Sequence, residues 1–158
     1  MLMVESVAGN IHQGLSKEYE EMSRRGTVEK ITISRMESER VRMRKATDKG
    51  TDVALTLAAG NRMRHGDVLV RGERMIVVEI EPEKVAVVRL GDARTAALVG
   101  HAIGNLHRPI KVQDDNVYFP IQSDDEISLI QKQLAHVAGL KISSQFIVFE
   151  PEVVVHGH

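Results

Sequence analysis

The chain has no cysteine and no tryptophan, and only three Phe and two Tyr among its 158 residues. Without thiols, a disulfide framework, a zinc ribbon, thiolate ligation of copper and a cysteine nucleophile are all excluded. A transition metal could be held only by imidazole, carboxylate or backbone. The scarcity of rings weighs against a single-strand RNA reader, which stacks bases on aromatic side chains. Neither sign of charge prevails, with 21 Lys and Arg against 22 Asp and Glu, so no global field draws the chain to nucleic acid or to a membrane surface. No apolar run approaches the ~20 residues that span a bilayer, and the opening MLMVESVAGN lacks the basic stretch and apolar core of a secretory signal; the expected compartment is the cytoplasm. There is no H-E-x-x-H, Gly-rich phosphate loop or G-x-S-x-G elbow, which leaves a metal-dependent hydrolase without a motif and predicts a binding protein, not an enzyme.

What is present is a folded composition, 42% apolar and 27% charged. From Thr27 to about Pro82 short strands alternate with turn signals: Val28 to Ser34, Arg40 to Lys45, Thr51 to Leu57, Asp67 to Val70 and Met75 to Ile80. This predicts a small β-barrel or sandwich. The polar stretch Gln13 to Arg25 is compatible with a short helix or a loop. Arg40, Arg42 and Arg44 alternate with Val41 and Met43, as on the solvated face of a strand.

After Glu81-Pro82 the pattern becomes strand (Val85 to Leu90), helix (Asp92 to about Leu106), two strands joined at Asp114-Asp115, helix (Asp124 to about Ala138) and strand (Ile142 to Phe149). This βαββαβ order predicts a ferredoxin-like fold, giving an α+β chain overall. Asp92 can cap the first helix, and Ser123 with Glu126 spells a capping box for the second, which Gly139 can end. Ala96, Val99, Ile103 and Leu106 form one apolar stripe, and Ile127, Ile130, Leu134 and Val137 another; both are expected in the core. The expected division is a β-rich domain over 1–81, a ferredoxin-like domain over 82–150 and a mobile tail over 151–158.

With cysteine absent, the seven histidines are the main metal-ligand candidates. His65, in a loop, and His136, in the second helix, read as structural. His107 is different, because Pro109 disfavours helical geometry at Arg108 and so puts His107 at a helix end. A helix running that far would carry Gly100, Gly104 and His107 on one face, where a second backbone could come close. On spacing alone, a helix stop with His107 as a favoured C-terminal cation accounts for the same residues. The tail His156-Gly157-His158 offers two more imidazoles as a metal clip; the alternatives are chance or a tag remnant, and with only two histidines and an interrupting glycine a tag remnant is the less natural explanation. Imidazole ligation suits Ni²⁺, Zn²⁺ or Cu²⁺, and affinity falls in mildly acidic solution, because an imidazole with its ordinary pKa of about 6.5 must be deprotonated to ligate.

Several segments, in order, resemble the UreE family of urease accessory proteins, the nickel metallochaperones, over nearly the whole chain. They are Gly50-Thr51-Asp52, Gly66-Asp67-Val68-Leu69, Glu83-Lys84-Val85, Ile103-Gly104-Asn105-Leu106-His107 and Phe149-Glu150-Pro151-Glu152. The resemblance implies a homodimer that binds Ni²⁺ through His107 of both subunits. It implies tail ligands His156 and His158, delivery of the ion to apo-urease through an accessory GTPase, and partner binding by the N-terminal domain. Leu106 replaces the motif's usual arginine, and Ala102 stands where some members carry histidine, so no ligand role passes to His101. Ile121 and Ser123 stand where some members have a histidine pair before the second helix, which makes that auxiliary site absent. The short tail implies about one ion per dimer, not a store of many.

Overall fold

The structure is a computed structural model that describes residues 1–152, and the chain divides into two compact units, Met1–Glu81 and Pro82–His158.

The first unit contains two sheets. One has the order β1-β5-β4, from β1 (Leu2–Val4), β5 (Asp52–Thr56) and β4 (Arg42–Ala46); β1 runs parallel to β5, and β4 antiparallel. The other has the order β2-β6-β7-β3, from β2 (Gly9–Asn10), β6 (Asp67–Arg71), β7 (Met75–Ile80) and β3 (Val28–Ile33). Both sheets are open, with β1 and β4 as edges of one and β2 and β3 as edges of the other, so the barrel alternative is corrected. The open stretch before β3 is α1 (Ser16–Arg25), ended by Gly26 in the left-handed region at φ +73. Met22 of this helix packs with Val68, Met75 and Val77, which covers one face of the second sheet. The expected strand from Arg40 begins only at Arg42, because Ser34 and Glu37 form a reciprocal capping box that starts the short α2 (Arg35–Ser38).

Between the sheets lie Ile31 and Leu69 from one side and Val53 and Leu55 from the other. Glu29 shares that inward face of β3 and is 5% exposed. Its carboxylate accepts hydrogen bonds from Thr47 Oγ1 at 2.6 Å and Thr51 Oγ1 at 2.5 Å, and it meets the Arg74 guanidinium at 3.2 Å. Thr47 and Thr51 flank the β4–β5 turn, so this buried carboxylate ties the two sheets together. Burial alone pushes its pKa up; the hydroxyl bonds and Arg74 outweigh that and hold it below the usual carboxylate value.

The second unit is β8 (Glu83–Arg89), α3 (Ala93–Asn105), β9 (Lys111–Gln113), β10 (Asn116–Pro120), α4 (Asp125–Gln133) and β11 (Ile142–Ile147). Its antiparallel sheet has the order β11-β8-β10-β9, that of a ferredoxin-like fold. Asp114 and Asp115, at φ 50 and 66, make the two-residue hairpin turn that joins Gln113 to its partner Asn116. Val99 and Ile103 of α3 and Ile130 of α4 bury against Ala86, Val88, Val117 and Phe119. Both elements reaching into the last third end early: α4 stops at Gln133 instead of Ala138, and β11 at Ile147 instead of Phe149. After Gln133 the backbone tightens, with Val137 N–H donating to the Leu134 carbonyl, which still carries Leu134 and Val137 into the core. The expected capping box is not formed; Asp124 is the N-cap residue and makes no side-chain cap bond.

Glu29→Gln should lower the stability of the first unit at neutral pH by about 1–3 kcal/mol, because it leaves buried donors mismatched. Since the folded-state pKa of Glu29 is depressed, its contribution is present above the unfolded carboxylate value and lost as pH falls through the folded one. Denaturant melts of parent and variant should therefore converge as pH falls through the depressed folded-state value; an undiminished difference in acid would show that the carboxylate charge is not what stabilises.

Candidate metal centre

The site grows from the end of α3. Asp92 Oδ1 accepts the Thr95 amide at 2.7 Å and starts the helix. The buried side of the helix carries Val99 and Ile103. Ala97, Gly100, His101 and Gly104 are exposed. The helix stops at Asn105 with Leu106 as its cap, so His107 lies beyond the helix and does not continue the Gly100–Gly104 face. His107 takes φ 55, the left-handed conformation that glycine usually supplies at this position, and its amide donates to the Gly104 carbonyl at 3.1 Å. Its side chain is exposed.

Arg108 fixes the turn that follows. Its guanidinium donates to the Pro120 carbonyl at 2.9 Å and to Glu126 Oε1 at 2.5 Å, while Glu126 Oε2 accepts the Gln122 amide at 2.5 Å. Glu126 thus faces Arg108 and the Gln122 amide, with the Ser123 backbone a lesser contact. The Arg108 hydrogen bond, opposed by burial, holds the Glu126 carboxyl below its ordinary pKa. Sequence reasoning missed this clamp because Arg108 and Glu126 are 18 residues apart and Glu126 matched a local motif.

A second approach to the same place comes from the chain end. Phe149 is fully buried against Val85 and Val87, with Tyr118 and Ile147 beside it. Glu152 then bonds the outer edge of β9: its amide donates to the Ile110 carbonyl at 2.7 Å, and its carboxylate accepts the Val112 amide at 3.3 Å. Ile110 is three residues from His107. His156 and His158 lie outside the described residues.

The other histidines are placed elsewhere. His65 Nδ1 accepts the Ile80 amide at 3.0 Å, a structural role, and the His12 ring stacks on His65 with centroids 6.1 Å apart. His136 is exposed, and His101 sits 3.4 Å from Asn105 Nδ2. Among the described residues no three His, Asp or Glu side chains converge as a metal site. On the basic strand β4, which carries Arg42, Arg44 and Lys45, Arg44 pairs with Asp52 at 2.6 Å and Lys45 with Glu37 at 3.0 Å, so two of its three cations are already neutralised within the fold.

Residues 4–81 match the N-terminal domain of the UreE urease accessory protein, and residues 83–158 match its C-terminal domain. The chain belongs to the UreE family. The urease accessory protein UreE of Actinomyces naeslundii is 31% identical over 133 residues, covering 82% of this chain and 79% of that relative. UreE 1 of Pseudomonas syringae pv. tomato is 28% identical over 127 residues, covering 79% of this chain and 87% of its own length. The UreE of Burkholderia ambifaria is 31% identical over 117 residues, covering 73% of this chain but 55% of the relative, so the match spans about half of that longer protein. By its family, this UreE chain is an accessory protein and not an enzyme. No helix among its described residues is long and apolar enough to cross a membrane.

A non-glycine residue in the left-handed region costs about 1 kcal/mol relative to glycine. His107→Gly should therefore raise the stability of the second unit by up to about 1 kcal/mol, read as an increase in the denaturant midpoint. A decrease would mean that the His107 side chain makes stabilising contacts of its own.

Proposed function

We propose that this UreE-family chain is a nickel-binding metallochaperone that delivers Ni²⁺ to apo-urease while the urease active site is assembled. Family membership across both units carries the reading. In it, a homodimer in the cytoplasm holds one Ni²⁺ between the His107 residues of both subunits, and His156 and His158 complete the ligand set. Zn²⁺ or Cu²⁺ can occupy the same imidazoles, since residue type alone does not select among these ions. An accessory GTPase and the apo-urease complex receive the ion. Residues 1–81 serve partner or peptide binding, 82–150 metal binding and dimerisation, and 151–158 form the ligand-bearing tail. A few neutral ligands from separate places suit release better than a closed cage does.

The glycines of α3 support the dimer. Glycine in a helix interior is about 1 kcal/mol less favourable than alanine. Yet a Cβ added at Gly100 or Gly104 would meet nothing within 4 Å. Packing among the described residues gives neither glycine a purpose, whereas a second copy approaching this exposed face across a two-fold axis would.

Calorimetry with light scattering on the intact protein, on His107→Ala and on a chain ending at Val155 tests the reading. The intact dimer should bind about one Ni²⁺, and His107→Ala should lose it while remaining folded and dimeric. Parental binding by His107→Ala would leave His107 as a helix stop only. Gly104→Ala should stabilise the helix by about 0.5–1 kcal/mol and at the same time raise the dimer dissociation constant. Unchanged self-association would move the interface elsewhere.

A further inference from the structure

We propose that an open recess in the first unit, lined by Arg62 and Arg64, is a docking site for the carboxylates of an acidic segment of a partner protein. This deepens the reading above that residues 1–81 bind partners or peptides, and rests on it.

The recess has a volume of about 430 Å³, within the range of ligand sites, and its walls include Ser6, Val7, Leu57, Arg62, Arg64 and Asp67. The chain around the two arginines is fixed. Met63 between them is fully buried, and its amide donates to the Ser38 carbonyl at 2.9 Å. Arg64 opens a turn that Asp67 closes: Asp67 Oδ2 accepts the Arg64 amide at 2.7 Å, and the Asp67 amide donates to the Arg64 carbonyl at 3.0 Å. From β2 the buried Asn10 locks the same turn, donating through Nδ2 to Asp67 Oδ1 at 3.0 Å and to the His65 carbonyl at 3.1 Å. Backbone and buried groups thus satisfy one another, and the guanidiniums are left over. Among the described residues neither Arg62 nor Arg64 pairs its side chain with a carboxylate, whereas Arg44, Arg71 and Arg74 of the same unit do so at 2.6, 2.9 and 3.2 Å.

Charge selects the occupant. The Asp67 oxygens are engaged by Asn10 and the Arg64 amide, but the negative charge stays in the wall, so two cations face the recess against one anion. That small surplus suits a carboxylate, which the guanidinium fork binds with two parallel N–H···O bonds. A nucleic-acid backbone binds best where cations are unopposed, and no aromatic ring among the described lining residues offers a base a stacking surface. Val7 and Leu57 supply an apolar strip beside the arginines, fit for an aliphatic side chain next to the acid. Because the recess is open, a polypeptide can continue on either side of it.

Fluorescence anisotropy on the full chain tests this with an end-blocked peptide of alternating leucine and glutamate carrying a neutral dye; a leucine–glutamine peptide of the same length is the control. The parent should bind the glutamate peptide about tenfold or more tightly than the control, and raising salt from about 0.05 M to about 0.5 M should weaken the complex. Arg62→Gln combined with Arg64→Gln should cost about tenfold or more in affinity at an unchanged denaturant midpoint, since both side chains lie outside the core. Arg40→Gln with Arg42→Gln removes the same charge from exposed positions at β4 and should have little effect. An equal loss there would make the attraction diffuse and overturn the recess. No binding by the parent overturns it too, as does a single-stranded oligonucleotide of equal charge that displaces the peptide and binds more tightly. Amide resonances of the isotope-labelled chain separate the recess from the reading it rests on. Peptide-induced shifts at Val7, Asn61 and Arg64 support the recess. Shifts elsewhere in residues 1–81 keep peptide binding by the first unit and sink the recess, and shifts confined to residues 82–152 sink both.

Discussion

A βαββαβ sheet with both helices on one side leaves its other face to be covered by something else. In the second unit the chain itself supplies part of that cover, through Phe149 seated on Val85 and Val87. Burying an aromatic side chain of this size is worth about 2–3 kcal/mol, which offsets part of the cost of ordering a five-residue segment across a sheet that it does not extend. The hydrophobic requirement of one face thus decides where the chain end leaves the domain. Glu152 completes the crossing by satisfying backbone groups on the β9 edge, an edge that would otherwise invite pairing with another strand.

The same domain concentrates its local tension at the end of α3. His107 occupies a backbone conformation better suited to glycine, one residue before a guanidinium anchored to β10 and to the start of α4. A strained residue between a helix end and a fixed arginine has little freedom to drift. The imidazole is consequently presented from a defined point at the protein surface.

The first unit obeys a different constraint. Its two open sheets are small, and a carboxylate, two hydroxyls and an arginine join them at the β4–β5 turn, beside the hydrogen bonds that Asp48 exchanges with the Lys30 backbone. Glu29 costs desolvation energy, and its hydrogen bonds return it only while the whole cluster is in place. That makes the joint cooperative and sensitive to loss of any one member.

Periodicity and turn chemistry settled a great deal from the sequence alone. Apolar stripes at helical spacing located Val99, Ile103, Ile130 and Leu134 in the core, Asp92 marked a helix start, and Asp114-Asp115 marked a hairpin, because each signal depends on neighbours only a few residues away. Pro109 likewise identified His107 as terminal to its helix. Tertiary structure decided what depends on distant partners: that Glu126 serves Arg108 instead of a capping box, that α4 ends in tighter turns, that Glu29 is a buried joint, and that the barrel alternative gives way to two open sheets. It also decided that Glu152 bonds Ile110, three residues after His107. Local rules read intervals along the chain, but a carboxylate 18 residues from its arginine, or an amide 42 residues from its carbonyl, is paired only by the fold.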